Sequence, residues 1–208
     1  MLLDVLPRVS FFFLLQRIDQ DLAKRVKEGC CAYCGGPLHD AHYERKPRGG
    51  PPDLPEELCV RLGLCCGRDG CRRRMLPPSA LFFRRRVYWG GVVVILTAVL
   101  QGRDRGHSYN ELQRRFGMCR LTLKRWQAWF AEELRRTRIW QHICGSLPLD
   151  ALDGAQPSAL LESLVKAEED TGQGVTICLS LLSGGPLSVA QARIARGRAV
   201  YAEDGELK

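Results

Sequence analysis

Residues 108–130, SYNELQRRFGMCRLTLKRWQAWF, carry the pattern that decides the fold. Ser108 with Glu111 forms a capping box, which marks a helix start. Leu112 and Phe116 lie four apart and share one face. Gly117 falls where that helix must end and the chain must turn, and Met118 fills the turn. Leu123, Trp126 and Phe130 then repeat at three and four residues, the apolar stripe of a second helix. The segment therefore predicts a helix-turn-helix, whose second helix enters the DNA major groove. Its outward positions are read as Arg120, Thr122, Lys124 and Arg125, with Gln127 beyond and Arg114 on the first helix. Those side chains hydrogen-bond to phosphates and base edges. Gln113 stands where a small residue commonly lets the helices approach, and Cys119 where Ser is the commoner cap. Trp129 is expected to pack.

An ordinary helical hairpin with exposed charge would share part of this pattern. The bulk properties bear on that choice. The chain has 208 residues and a net charge of +8. Residues 1–147 hold 26 Lys/Arg against 14 Asp/Glu, whereas residues 148–208 hold 5 against 9. A basic body of this kind favours a polyanionic partner. The composition, 45% hydrophobic and 26% charged, is that of a folded chain. The apolar run at 92–100, VVVILTAVL, is roughly half the length a bilayer span requires. A soluble, cytoplasmic protein without membrane association is expected.

Seven of the ten cysteines fall between Cys30 and Cys71. Clustered thiols without a secretory signal point to a metal rather than to disulfides. Cys31-Ala-Tyr-Cys34-Gly-Gly has the form of a zinc knuckle, since a two-residue gap lets both sulfurs face one ion. The second half is Cys65-Cys66-Gly-Arg-Asp-Gly-Cys71, in which Cys66 and Cys71 are read as ligands. Cys65 competes with Cys66, and His39, His42 and Cys59 are substitutes. Two distant knuckles closing one tetrahedral site make a zinc ribbon, and four thiolates leave no position open for catalysis, so the zinc is expected to be structural. Basic residues crowd the module: Arg45, Lys46 and Arg48 in its loop, Arg72, Arg73 and Arg74 after the last cysteine, and Arg84, Arg85 and Arg86 ten residues on. They are candidates for phosphate contact.

Elsewhere, residues 11–28 place Leu14, Leu15, Ile18, Leu22 and Val26 on one helical stripe that Gly29 ends. After Pro77-Pro78, Ser79 is expected to cap a buried helix over 84–101, whose valines would also suit a strand. Residues 157–170 read as a helix, and 175–182 as an apolar segment of either type. Asp150, Asp153, Glu168, Glu169 and Asp170 lack a legible sheet to hold paired carboxylates for two-metal chemistry.

The succession CxxCGG, RKPRG, CCGRDGCRRR, PPS, apolar helix and helix-turn-helix, over roughly residues 30–135, resembles the N-terminal region of bacterial insertion-sequence transposases. The resemblance implies double-stranded DNA as partner, with Cys31, Cys34, Cys66 and Cys71 as ligands and the second helix as reader. Such transposases continue into a large catalytic domain, for which 208 residues leave no room, so a non-enzymatic role is expected. The fold expected is mainly α with a small zinc-ribbon β module and a helix-turn-helix bundle. Its parts are an N-terminal amphipathic helix (1–29), zinc ribbon (30–80), helix-turn-helix DNA-binding domain (81–145) and a small C-terminal helical segment with an extended tail (146–208). The alternative is a protein-interaction module that docks a transposase or another subunit; a homodimer is compatible with either.

Overall fold

The computed structural model describes residues 8–51, 53–83, 88–101, 109–146 and 171–183. The expectations placed on Ser108, on Arg84, Arg85 and Arg86, on Asp150, Asp153 and the 168–170 carboxylates, and on the 157–170 helix lie outside those residues. The described residues form a mixed α and β structure with six α-helices and a three-stranded antiparallel sheet. Helix predominates without making the fold wholly α.

Helix α1 (Val9–Glu28) is the spine. Its buried residues are Phe11, Phe12, Leu15, Asp19, Leu22 and Ala23, a stripe at three- and four-residue spacing. Leu14, expected on that stripe, is 46% exposed, because the face is centred on Phe12 and Leu15 instead. Toward its C-terminus α1 supports the small ribbon core through Val26; toward its N-terminus it enters the large helical core through Phe11, Phe12 and Leu15.

The ribbon is one long bent hairpin. Strand β1 (Leu38–Asp40) pairs antiparallel with β4 (Leu64–Cys66), and β2 (Tyr43–Glu44) with β3 (Val60–Arg61). The register runs without a slip from Leu38↔Cys66 to Glu44↔Val60, so the two-stranded β2–β3 sheet continues the line of the β1–β4 pairing. The bend between them is held by the Ala41 amide, which donates to the Gly63 carbonyl at 2.9 Å. Strand β5 (Arg74–Met75) adds to the free edge of β4. At the far tip, a short 3-10 turn (Glu56–Cys59) drops Leu58 into the helical core.

Helices α2 (Gly90–Gln101), α3 (Tyr109–Phe116), α4 (Arg120–Ala128), α5 (Arg138–Ser146) and α6 (Thr171–Leu182) build the rest. Helix α2 starts at Gly90 rather than near Arg84. Phe83 donates its amide to the Tyr88 carbonyl, and Gly90 to Leu81, so residues 81–83 and 88–90 lie antiparallel to one another. Ser79 accordingly caps no helix: its hydroxyl accepts the Phe82 amide at 2.9 Å within this turn. The valines of α2 are helical because Val92, Val93, Val94 and Leu96 are all buried, and tertiary packing outweighs their modest helix propensity. The 175–182 segment is helical within α6, and Val175, Ile177, Cys178 and Leu179 lie in the same core as α3 and α4. Among the described residues no helix is long and apolar enough to cross a membrane.

Among the described residues a buried aspartate and a buried arginine join these elements. Asp19 is 2% exposed and accepts the Ala80 and Leu81 amides at 2.6 and 3.2 Å, together with the Ser79 hydroxyl. Burial lifts its carboxyl to about 6, although those hydrogen bonds and nearby Arg61 pull the other way. Arg61 is 4% exposed and donates to the carbonyls of Leu62 and Pro77. Together they tie α1 and β3 to the Pro77–Leu81 turn.

Candidate metal centre and helix pair

At the open end of the hairpin the sulfurs of Cys31, Cys34, Cys66 and Cys71 lie within 4.8 Å of one another. Cys31 and Cys71 are 3.9 Å apart and Cys34 and Cys66 3.5 Å. A tetrahedral ion with metal–sulfur bonds near 2.3 Å needs sulfur–sulfur edges of about 3.8 Å. A disulfide needs about 2.05 Å. The four side chains therefore fit a metal ion and could hold one.

Local backbone explains how two unlike spacings converge. In the first knuckle the Gly35 amide donates to Cys31 O at 2.8 Å, and Gly35 takes a φ of +68°. A Cβ on Gly36 would stand 2.9 Å from Arg68 Cβ and 3.1 Å from Cys66 Sγ, so only glycine lets the knuckles close on each other. In the second knuckle the Cys71 and Arg72 amides both donate to Arg68 O, a turn that absorbs the four-residue gap. Strand alternation settles the choice between adjacent cysteines. Cys66 points inward and is fully buried, whereas Cys65 points to the other face, where its thiol donates to the Arg72 carbonyl. Cys30, Cys59, His39 and His42 stand outside the four-sulfur group. The His42 Nδ1 instead meets the Gly63 backbone at the hairpin bend.

The thiols polarise one another. The backbone amide of Tyr33, followed by sharing with Cys34 and Cys66, brings Cys31 down to about 7 against the effect of burial. For Cys66, the Arg68 amide is outweighed by burial and by three neighbouring thiols, which push it up to about 12. Four sulfurs at one point cannot all ionise unaided, and a bound cation removes that conflict. The nearby arginines serve the knuckles directly. Arg68 donates to the Cys34 carbonyl at 2.5 Å, Arg72 pairs with Asp69 at 2.8 Å, and Arg73 lies 4.3 Å over the Tyr33 ring. Arg74 is exposed on β5. Arg45 is half-buried with its guanidinium on the Tyr43 hydroxyl, so its place is within the hairpin rather than at an outer surface.

The helix pair forms at the other end of the hairpin. Leu112, Phe116, Met118, Leu123, Trp126 and Phe130 are all buried together. Gly117 turns the chain with φ +63°, and its amide donates to Gln113 O at 2.9 Å. Gln113 itself faces outward and does not keep α3 from α4. Cys119 occupies the N-cap of α4 without a side-chain bond to the backbone. Its thiol sits 3.1 Å from the Thr122 hydroxyl, which holds it below its ordinary range. Trp129 packs edge-on against Phe83 and Phe130.

Helix orientation sorts the expected contacts. Lys124, Arg125 and Arg114 are exposed. Arg120 is exposed, but its guanidinium lies 5.1 Å over the Tyr109 ring. Thr122 is half-buried against Cys119, and Gln127 is half-buried and accepts the Tyr109 hydroxyl. Leu121, absent from the sequence expectation, is 57% exposed on the outward side. The signal for it was present in the i, i+3, i+4, i+7 spacing of Leu121, Lys124, Arg125 and Ala128, all of them exposed.

The hairpin tip meets this helix pair. A Cβ on Gly49 would lie 1.5 Å from Met118 Cε and 3.3 Å from the Phe116 carbonyl, and one on Gly50 would lie 2.3 Å from Trp89 Nε1. Arg48 forms a parallel bridge with Tyr88, whose ring packs edge-on to Trp126 of α4. Lys46 and Arg48, both exposed, are thereby carried on a loop seated against the α3–α4 turn. No protein-family model, curated protein or solved structure matches the chain.

Proposed function

We propose that the chain is a non-enzymatic double-stranded DNA-binding protein, stabilised by a structural zinc ion and associated with a mobile element. The observation that carries this reading is the exposed side of α4, where Lys124 and Arg125 stand beside one another on the second helix of a tightly turned pair. That arrangement suits a helix presented to the major groove. Lys46 and Arg48 on the docked loop, with Arg114 on α3, add cations that suit the flanking phosphates. Arg120, Arg72, Arg73 and Arg74 are further phosphate candidates, the first three after release from the partners they hold. Four sulfurs, partly buried and with no oxygen or nitrogen donor among them, fit zinc in a closed, structural role. The mobile-element association rests on the order of motifs along the chain.

The test is duplex binding by Lys124→Ala and Arg125→Ala. Each should weaken affinity about tenfold, in the range of a lost charge-assisted contact, while the helical signal and metal content stay unchanged. Unchanged affinity in both variants would remove α4 from the interface, whereas a folded wild type with no appreciable affinity for duplex DNA would favour the protein-docking alternative.

A further inference from the structure

We infer that Leu121 is a base-reading residue, which packs against the C5-methyl group of a thymine in the major groove. The inference rests on the DNA-binding reading and deepens it, since it names a base that the helix selects. Helix α4 turns by about 100° per residue, so Leu121 lies within about 20° of the direction opposite buried Leu123. It thus stands at the centre of the outward face. Arg120, Thr122 and Gln127 are drawn aside toward Tyr109 and Cys119. What remains outermost is the stripe Leu121, Lys124, Arg125, Ala128.

That stripe is two cations between two apolar side chains. A helix that only neutralised phosphates would gain from a polar or basic residue at the central position. Leu121 offers neither, and at 57% it is the most exposed aliphatic side chain among the large hydrophobics of the described residues. In the major groove the one apolar feature of a base edge is the thymine methyl, which distinguishes T·A from every other pair. Leu121 also lies in the first turn of α4, and the N-terminal residues of a recognition helix are those that reach base edges. Arg125 follows one turn later, about 6 Å along the axis, close to the span of two base-pair steps. It is thus placed to donate to a purine near the thymine.

The experiment takes duplexes that the wild-type full chain enriches from a randomised pool. These are resynthesised with deoxyuridine in place of thymine, one position at a time, which removes only the methyl. The wild type should lose about fourfold in affinity at one position, the effect of one apolar group returned to water. Leu121→Ala should bind the thymine and deoxyuridine forms equally, with its circular dichroism and metal content intact, and Leu121→Ile should restore the difference. A wild type insensitive at every position, or a Leu121→Ala as sensitive as the wild type, would overturn the inference while leaving DNA binding in place. Failure to enrich any duplex would refute the DNA-binding reading itself.

Discussion

Asp19 is a carboxylate inside a helix stripe that otherwise reads as apolar, and its three hydrogen bonds make it the clasp between α1 and the Ser79–Leu81 turn. With the folded carboxyl near 6 and the unfolded one near 4, the folded chain holds the proton more tightly. Stability from this group is therefore greatest below the unfolded value and falls as pH rises through the folded one. Two units correspond to about 3 kcal/mol. Asp19→Asn does not titrate, so the stability of wild type relative to that variant should decline between pH 4 and 7 by up to this amount. Denaturant unfolding of both proteins across that range measures it, and a constant or rising difference would contradict the burial argument. Nothing in the 11–28 sequence reveals this role, because the partners lie sixty residues away. Arg61 is hidden for the same reason: beside the carbonyl of neighbouring Leu62, its second acceptor is the Pro77 carbonyl, which only the tertiary fold brings near.

At the scale of elements, what was legible was local. The CxxC knuckle, the stripe of Leu112, Phe116, Leu123, Trp126 and Phe130, and the break at Gly117 each follow from short-range geometry, and each stands where the sequence places it. Gly117→Ala places a Cβ in left-handed backbone and should cost about 1 kcal/mol of stability. Metal content should not change, because the substituted turn lies away from the four sulfurs; a variant of unaltered stability would mean that the turn relaxes out of its left-handed conformation. Less legible was rotation about the helix axis. Thr122 and Gln127 read as outward from residue type, but the way α4 seats Trp126 and Leu123 leaves Thr122 half-buried against Cys119, turns Gln127 to Tyr109 of α3 and turns Leu121 out. The start of α2 was misplaced for a related reason. Tyr88 and Trp89 continue the apolar pattern of the helix, yet they are taken up by bridges to Arg48 and Phe82.

Across the whole molecule, one hairpin joins two sites. Its open end gathers the four cysteines, and its tip rests on the turn between α3 and α4, with Gly49 against Met118. The RKPRGGPP stretch reads as a loop or a short hairpin, and neither the continuous register nor the docked tip is visible in it. A bound cation would relieve the conflict of ionisation between Cys31 and Cys66, and the tip that carries Lys46 and Arg48 belongs to the same hairpin as those thiols. Metal and DNA affinity should accordingly be linked. The most direct measurement is binding of the full chain to duplex DNA over a salt series, with zinc quantified in the same sample and again after chelation. One zinc per chain is expected, with an affinity that falls linearly on logarithmic axes at a slope of about −3 to −5 for three to five phosphate contacts. Binding should weaken once the metal is removed. A folded, zinc-loaded chain that ignores duplex DNA, or binds it independently of salt, would contradict the account.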